Sequence, residues 1–324
     1  MRTRDTNPGY GDPMSTKRST KLAAILLCLF SLPVLAESKN RFSYSSLGLG
    51  FETLTYKEKR STSVTLTNSA TVVDIEENSD YSGGNLSLRS SSFVARNDNL
   101  GFYINTGSTM GSQNNEEEWT ISFVNRNTGN GLRDVPVQTS ATVLSKSGLE
   151  VLAVQALKGS HSALYGARYD SFDFKRYDFV PQNTDIFTRP EDEDRDTVSV
   201  ESKKIIIEAG YEYNEFFITQ DPGWKAQVQS VLGIALYNHV RNTGLSTDAF
   251  ADTFNSYDIR VTGSYGYQFD ANFLIALTLD LMYQSTKEIE ETVTLIKNQT
   301  DSAESIPEND YSYLQTSVNF LWSF

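Results

Sequence analysis

The last eleven residues of the chain set apolar side chains at every second position: Leu314, Thr316, Val318, Phe320, Trp322 and Phe324. Between them stand Gln315, Ser317, Asn319, Leu321 and Ser323. A strand turns successive side chains to opposite faces, so this segment is a strand with one face in an apolar medium and the other in a mostly polar one. It stops on an aromatic ring of the apolar face, where a terminus in water more often ends in polar residues that are hard to order.

The same period of two recurs along the chain. Residues 255–269 place Tyr257, Ile259, Val261, Gly263, Tyr265, Tyr267 and Phe269 on one face, with Asp258, Arg260, Thr262 and Ser264 on the other. Residues 272–287 alternate Phe273, Ile275, Leu277, Leu279, Leu281 and Tyr283 against Asp280 and Gln284. Residues 223–241 set Trp224, Ala226, Val228, Leu232, Ile234 and Leu236 against Lys225, Gln227, Gln229, His239 and Arg241. Aromatics gather at strand ends, and the links alternate in length. Short ones lie at 96–99, 158–161, 219–223 and 269–272; long polar ones lie at 58–81, 111–148, 179–198, 242–254 and 288–309. The pattern predicts an all-β fold, an antiparallel transmembrane β-barrel with short turns on one side and long acidic loops on the other. Its strands are expected at 41–57, 82–95, 100–110, 149–157, 162–178, 199–215, 223–241, 255–269, 272–287 and 310–324. That gives ten; an extra hairpin within 116–146 would give twelve.

The other end of the chain fits this reading. Residues 21–36 read KLAAILLCLFSLPVLA, an apolar run after Lys17, Arg18 and Lys21 that breaks at Pro33 and ends on small residues. This predicts a secretory signal peptide over 1–36, with the barrel over 37–324; translation could start at Met1 or Met14. Cys28, the single cysteine, falls inside the leader, so the mature chain is expected to have no disulfide and no thiol chemistry. Without the leader, 23 basic residues face 39 acidic ones (28 − 5 and 41 − 2), a net charge of −16. Nucleic acid, which needs a basic footprint, is not an expected partner.

The leader together with Phe320, Trp322 and Phe324 resembles the outer-membrane β-barrel proteins of Gram-negative bacteria. The resemblance implies an outer-membrane location. It also implies that these three aromatics form the signal read by the barrel-assembly machinery, and that the last strand closes on the first. The lipid bilayer and lipopolysaccharide would then be its surroundings. Residues 149–172 also resemble the plug of TonB-dependent receptors over about a dozen positions, but those chains carry about 22 strands; here the segment reads as strand, turn and strand.

Alternation also lists the charges expected on the inner face. The cations are Arg89, Arg168, Lys204, Lys225, Arg241 and Arg260; the anions are Glu52, Asp170, Glu208, Glu212, Asp258 and Asp280. In a small barrel such charges survive by pairing, and Arg260 with Asp280 is the expected pair across one hairpin. The set could be a structural network that fills the interior, or the lining of a narrow pore. Catalysis is not expected. Of two histidines, His161 falls in a short turn, and His239 lacks the Asp two residues earlier that outer-membrane proteases use, Tyr237 standing there instead. No cofactor or metal motif appears. The acidic stretches at 74–78, 115–119, 189–196 and 300–310 keep loops soluble, or else hold divalent cations; Asp192, Asp194 and Asp196 have calcium-like spacing but lack the glycine of an EF-hand. The function expected is passive, a narrow porin-like channel or a structural membrane protein. Loop-mediated binding or adhesion is the alternative, and an outer-membrane hydrolase is the least favoured.

Overall fold

A computed structural model describes residues 42–65, 72–110, 115–183, 197–243, 249–293 and 302–324. The leader, and the loop 189–196 with Asp192, Asp194 and Asp196, lie outside the described residues. The elements, all strands, are β1 (Tyr44–Thr65), β2 (Val72–Asn97), β3 (Leu100–Met110), β4 (Asn115–Asn125), β5 (Gly131–Ala156), β6 (His161–Pro181), β7 (Thr197–Asn214), β8 (Gly223–Asn242), β9 (Ala249–Asp252), β10 (Ser256–Gln268), β11 (Phe273–Thr286), β12 (Ile289–Val293), β13 (Ser302–Ile306) and β14 (Glu308–Ser323). Every pairing is antiparallel. β1 pairs with both β2 and β14, so the sheet closes on itself into a ring of 10 strands: β1, β2, β3, β5, β6, β7, β8, β10, β11 and β14. Closure leaves no strand edge in hydrocarbon, where an unpaired N–H or C=O cannot be tolerated.

The hairpin expected within 116–146 exists but adds no member to the ring. β4 runs antiparallel to both β2 and β5, above β3 and in the same sense as β3. β3 and β4 together therefore occupy one position, and the count is ten rather than twelve. The remaining short strands sit outside the ring: β9 pairs antiparallel with the far end of β8, and β12 pairs with β13 in a separate hairpin.

Much of what the sequence assigns to loops is strand. β2 and β5 each run for 26 residues, whereas a tilted strand crosses a bilayer in roughly 9–11. The excess stands beyond the membrane on the side away from the short turns, and there the facing pattern inverts. Within the membrane band, Leu47, Leu49, Phe51, Leu277, Leu281, Val318 and Phe320 are exposed outward, while serines, asparagines and charges point in. Beyond it, water wets the outer wall: Lys57 meets Asp80 at 2.6 Å and Lys59 meets Glu76 at 2.9 Å, both exposed. The interior there holds an apolar cluster, with Leu54, Tyr56, Tyr81, Leu144 and Phe174 buried, beside a buried group of charges. With charges outside and aromatics scattered within, stretches 58–81 and 111–148 show no apolar outer face and read as loops.

Aromatic belts flank the band. At the short-turn end Trp224 stacks on Tyr265 (5.0 Å, 2°), and Tyr267, Phe269 and Phe273 continue the row. The facing is testable by depth. Leu277 lies outward at the middle of β11, and Tyr283 lies outward at its far end. Leu277→Arg should destabilise the barrel in lipid vesicles by about 2–4 kcal/mol and Tyr283→Arg by about 0–1 kcal/mol; equal losses in urea unfolding would contradict the band as drawn.

Candidate functional site

The side chains capable of chemistry converge inside the barrel, which is filled at three levels. At the short-turn end, inner residues from around the ring pack into an apolar layer: Tyr44, Phe93, Tyr103, Leu152, Leu164, Val231, Leu274 and Leu321. Phe216 and Phe217, from the link between β7 and β8, turn into the same layer and are almost fully buried. Phe217 adopts φ 53, an uncommon conformation for a bulky residue, and its ring lies 5.3 Å from that of Tyr44. Asn214 holds the link by accepting from the Phe216 N–H at 2.7 Å. The alternation in the sequence ends this strand at residue 215 and does not reach the two phenylalanines. Just above, Glu212 accepts from Tyr103 Oη at 2.6 Å and from the amides of Gln227 and Gln229 at 2.9 Å each.

The middle level is ionic. Arg168 on β6 is 5% exposed and contacts three carboxylates: Asp170 at 2.9 Å, Glu208 at 2.5 Å and Asp258 at 2.7 Å. Arg89 on β2 reaches Asp280 on β11 at 2.6 Å, and Asp280 also accepts from Thr262 at 2.8 Å and Tyr313 at 3.0 Å. Arg260 on β10 pairs with Glu150 on β5, and Glu208 lies 4.0 Å away. Lys146 Nζ sits 2.5 Å from Glu52 and 3.5 Å from the centre of the Tyr313 ring. Lys204 on β7 donates to Gln284 and Thr286 at 2.8 Å each.

The structure therefore places Arg89, Arg168, Lys204, Glu208, Glu212, Asp258, Arg260 and Asp280 inward, and two further residues differently. Lys225 faces inward but near the short-turn end, where it bonds Thr219 at 2.9 Å, apart from the ionic layer. Arg241 is a correction. The register of β7 on β8 slips between Ile205, opposite Tyr237, and Ile206, opposite Ala235, which leaves Leu236 as an extra residue. Such a bulge reverses the facing of everything after it. Leu236 and Tyr237 both point outward, Asn238 and Val240 point inward, and His239 and Arg241 turn to the outer wall. A second correction concerns pairing. Arg260 lies opposite Met282 and Asp280 opposite Thr262, so the two charges are diagonal; each takes a different partner, across the lumen. Glu150 and Lys146 were missed because Leu144, Leu152 and Val154 share their face of β5 and mask the alternation.

The outer level combines the apolar cluster with a second ionic group beyond the membrane. Arg176 contacts Glu117 at 2.7 Å and Glu58 at 2.8 Å, and its guanidinium lies 4.5 Å from the centre of the Phe174 ring. Burial disfavours the Arg176 charge, but the Glu58 and Glu117 carboxylates outweigh it and hold its pKa above the usual value. Phe250, Ile289 and Ile306, from β9, β12 and β13, are buried on top of this level. Two of the acidic stretches that the sequence offered to cations, 74–78 and 115–119, contribute to ion pairs: Asp74 meets Arg126 at 2.6 Å on the outer wall, and Glu117 meets Arg176 inside. Among the described residues no group of three potential metal ligands comes together.

Between the middle and outer levels lies a cavity of about 140 Å³, with charges on its floor and aromatic and aliphatic side chains above. Phe320 and Trp322 lie outward on β14, between β1 and β11, and Phe324, just past its end, is exposed.

No family model matches the sequence, and no curated protein matches it. Among solved structures, the chain is similar to the outer membrane protease OmpT from Escherichia coli, at 10% identity over 91% of this chain and 99% of that one, with a TM-score of 0.53. Outer membrane protein OprG from Pseudomonas aeruginosa matches at 8% identity over 90% and 99%, with a TM-score of 0.30. The translocator domain of autotransporter NalP from Neisseria meningitidis matches at 7% over 95% of both chains, with a TM-score of 0.32. The fold is that of the outer-membrane β-barrels.

Proposed function

We propose that this outer-membrane barrel is passive and closed: a structural membrane protein that carries a long β-extension outside the bilayer, rather than a diffusion pore. The observation that carries this is the apolar layer at the short-turn end. Tyr44, Tyr103, Leu152, Leu164, Phe216, Phe217 and Leu274 are each no more than 3% exposed, and they come from around the whole ring. A solute crossing there would have to displace packed rings and then pass a layer of charges that, Lys204 apart, are ion-paired. A selective pore instead presents a ring of one sign to water.

Catalysis has little support in this reading, although the similar OmpT structure is a protease. Both histidines face away from the interior: His161 stacks against Tyr211 on the outer wall, and the bulge turns His239 out. The working surface would then be the extension, which fits binding or adhesion at the cell surface better than transport. The surroundings proposed are the bilayer and lipopolysaccharide, with divalent cations bridging its phosphates to the acidic loops; the outward aromatics Phe320, Trp322 and Phe324 would be read by the barrel-assembly machinery. The test is conductance of the refolded full chain in a planar bilayer. Silence is expected, and discrete conductance steps would overturn the closed reading.

A further inference from the structure

We propose that the cavity between the ionic and outer apolar levels is a binding site for a compact monocarboxylate with a benzene-sized apolar body, its carboxylate held by Lys204 and Gln284. Lys204 is 6% exposed and lines the cavity. Its Nζ donates to neutral oxygens, those of Gln284, Thr286 and, at 3.5 Å, Ser256. Among the described residues no carboxylate lies within ion-pair distance of it. The nearby acids are committed elsewhere, Asp170 and Asp258 both to Arg168. A buried ammonium without a counter-charge is unfavourable, and an anion entering the cavity relieves this.

Two donors at the cavity lack hydrogen-bond partners; the Glu52 carboxylate, which also lines it without one, is ion-paired with Lys146 at 2.5 Å. The Nε2 of Gln284 and the hydroxyl of Tyr311 are buried with no hydrogen-bond partner, and both residues are less than one-tenth exposed and line the space. Each can donate to an incoming oxygen. An unmade bond of this kind destabilises a folded protein until something fills it. Part of the wall is greasy: Tyr56, Phe172, Val200, Met282 and Ile306 line it. Water alone would satisfy the donors but not this wall, and a hydrocarbon alone would satisfy the wall but not the donors. The size sets the ligand, since a cavity of about 150 Å³ takes one benzene-sized molecule, close to the 140 Å³ here. The roof includes Ile306 of the β12–β13 hairpin, which shares no ladder with the ring, so a route in from the outside need not break barrel hydrogen bonds.

The test uses the folded full chain in detergent, titrated calorimetrically with benzoate and with benzyl alcohol as the neutral match in shape. Saturable one-to-one benzoate binding is expected, with benzyl alcohol weaker by about ten- to a hundred-fold, the range of a charge-assisted hydrogen bond. Lys204→Met keeps the stem and removes the charge. It should weaken benzoate by the same factor and leave benzyl alcohol nearly unchanged. Val200→Trp should fill the space and abolish both, with heat-modifiable migration confirming that each variant is folded. Should a variant fail to fold, the benzoate-to-benzyl alcohol ratio on the wild-type chain decides alone. Absence of saturable benzoate binding, equal affinity for the two probes, or undiminished benzoate binding in folded Lys204→Met would overturn the proposal.

Discussion

Replacing Arg168 with Met should destabilise the folded barrel by about 3–5 kcal/mol, the loss expected when one member of a buried ionic group is removed and its partners remain. Arg168 is 5% exposed, and its three contacts, Asp170, Glu208 and Asp258, come from β6, β7 and β10. Two of these carboxylates are themselves almost fully buried. One substitution therefore takes the cation from three carboxylates, two of them in a place water reaches poorly, and leaves Glu208 only Arg260 at 4.0 Å. Arg168→Lys should be intermediate: it restores the charge but not the planar fork that serves several carboxylates at once. Arg89→Met should lose less, because Arg89 is 28% exposed and faces the single ion-pair partner Asp280. Urea unfolding in lipid vesicles gives all three values. An Arg168→Met chain within about 1 kcal/mol of the wild type, below the range for a broken buried pair, would mean that water fills the middle level and that the charges there are solvated.

How much of this was legible in the sequence depended on which medium each face meets. Where the outer wall meets lipid, the alternation fixes strand, facing and neighbour together, and Tyr257–Phe269, Phe273–Tyr283 and Leu314–Phe324 point as their period requires. Beyond the bilayer both media are polar or mixed, the hydrophobic contrast disappears, and half of β2 and most of β4 and β5 read as loop. The bulge at Leu236 was hidden for another reason. Leu236 and Tyr237 are both apolar, so the sequence carries no break that marks where the phase changes, and Arg241 was assigned inward. The inner plug was illegible because Phe216 and Phe217 are not in a strand at all; only their position beside a turn, where polar residues are usual, hints that something covers them. The site itself was half legible. Alternation names the inward charges, but the partner of each is set by height and by reach across the lumen, which sequence separation does not encode.

That distinction gives the sharpest test of the ionic level. A double-mutant cycle on Arg260→Ala and Glu150→Ala should show strong coupling, toward the upper end of the roughly 0.5–3 kcal/mol seen for contacting pairs. The cycle on Arg260→Ala and Asp280→Ala should show less. Either single substitution in the first pair leaves a buried charge behind, since the Arg260 and Glu150 side chains are 10% and 5% exposed; the double substitution removes both charges and should be milder than the sum. Asp280 keeps Arg89 at 2.6 Å, together with its bonds from Thr262 and Tyr313, whether or not Arg260 is present. The strand register makes the same point. With Arg260 opposite Met282, the two charges on neighbouring strands are offset by one inward position, and long side chains in a narrow barrel reach more favourably across it than along its wall. The Arg89→Ala and Asp280→Ala cycle supplies the positive control, with coupling comparable to the first. If Arg260 instead couples to Asp280 as strongly as to Glu150, pairing follows the hairpin rather than the lumen. The barrel centre would then be open enough for each wall to satisfy its own charges, and the passive, closed reading would lose its middle layer.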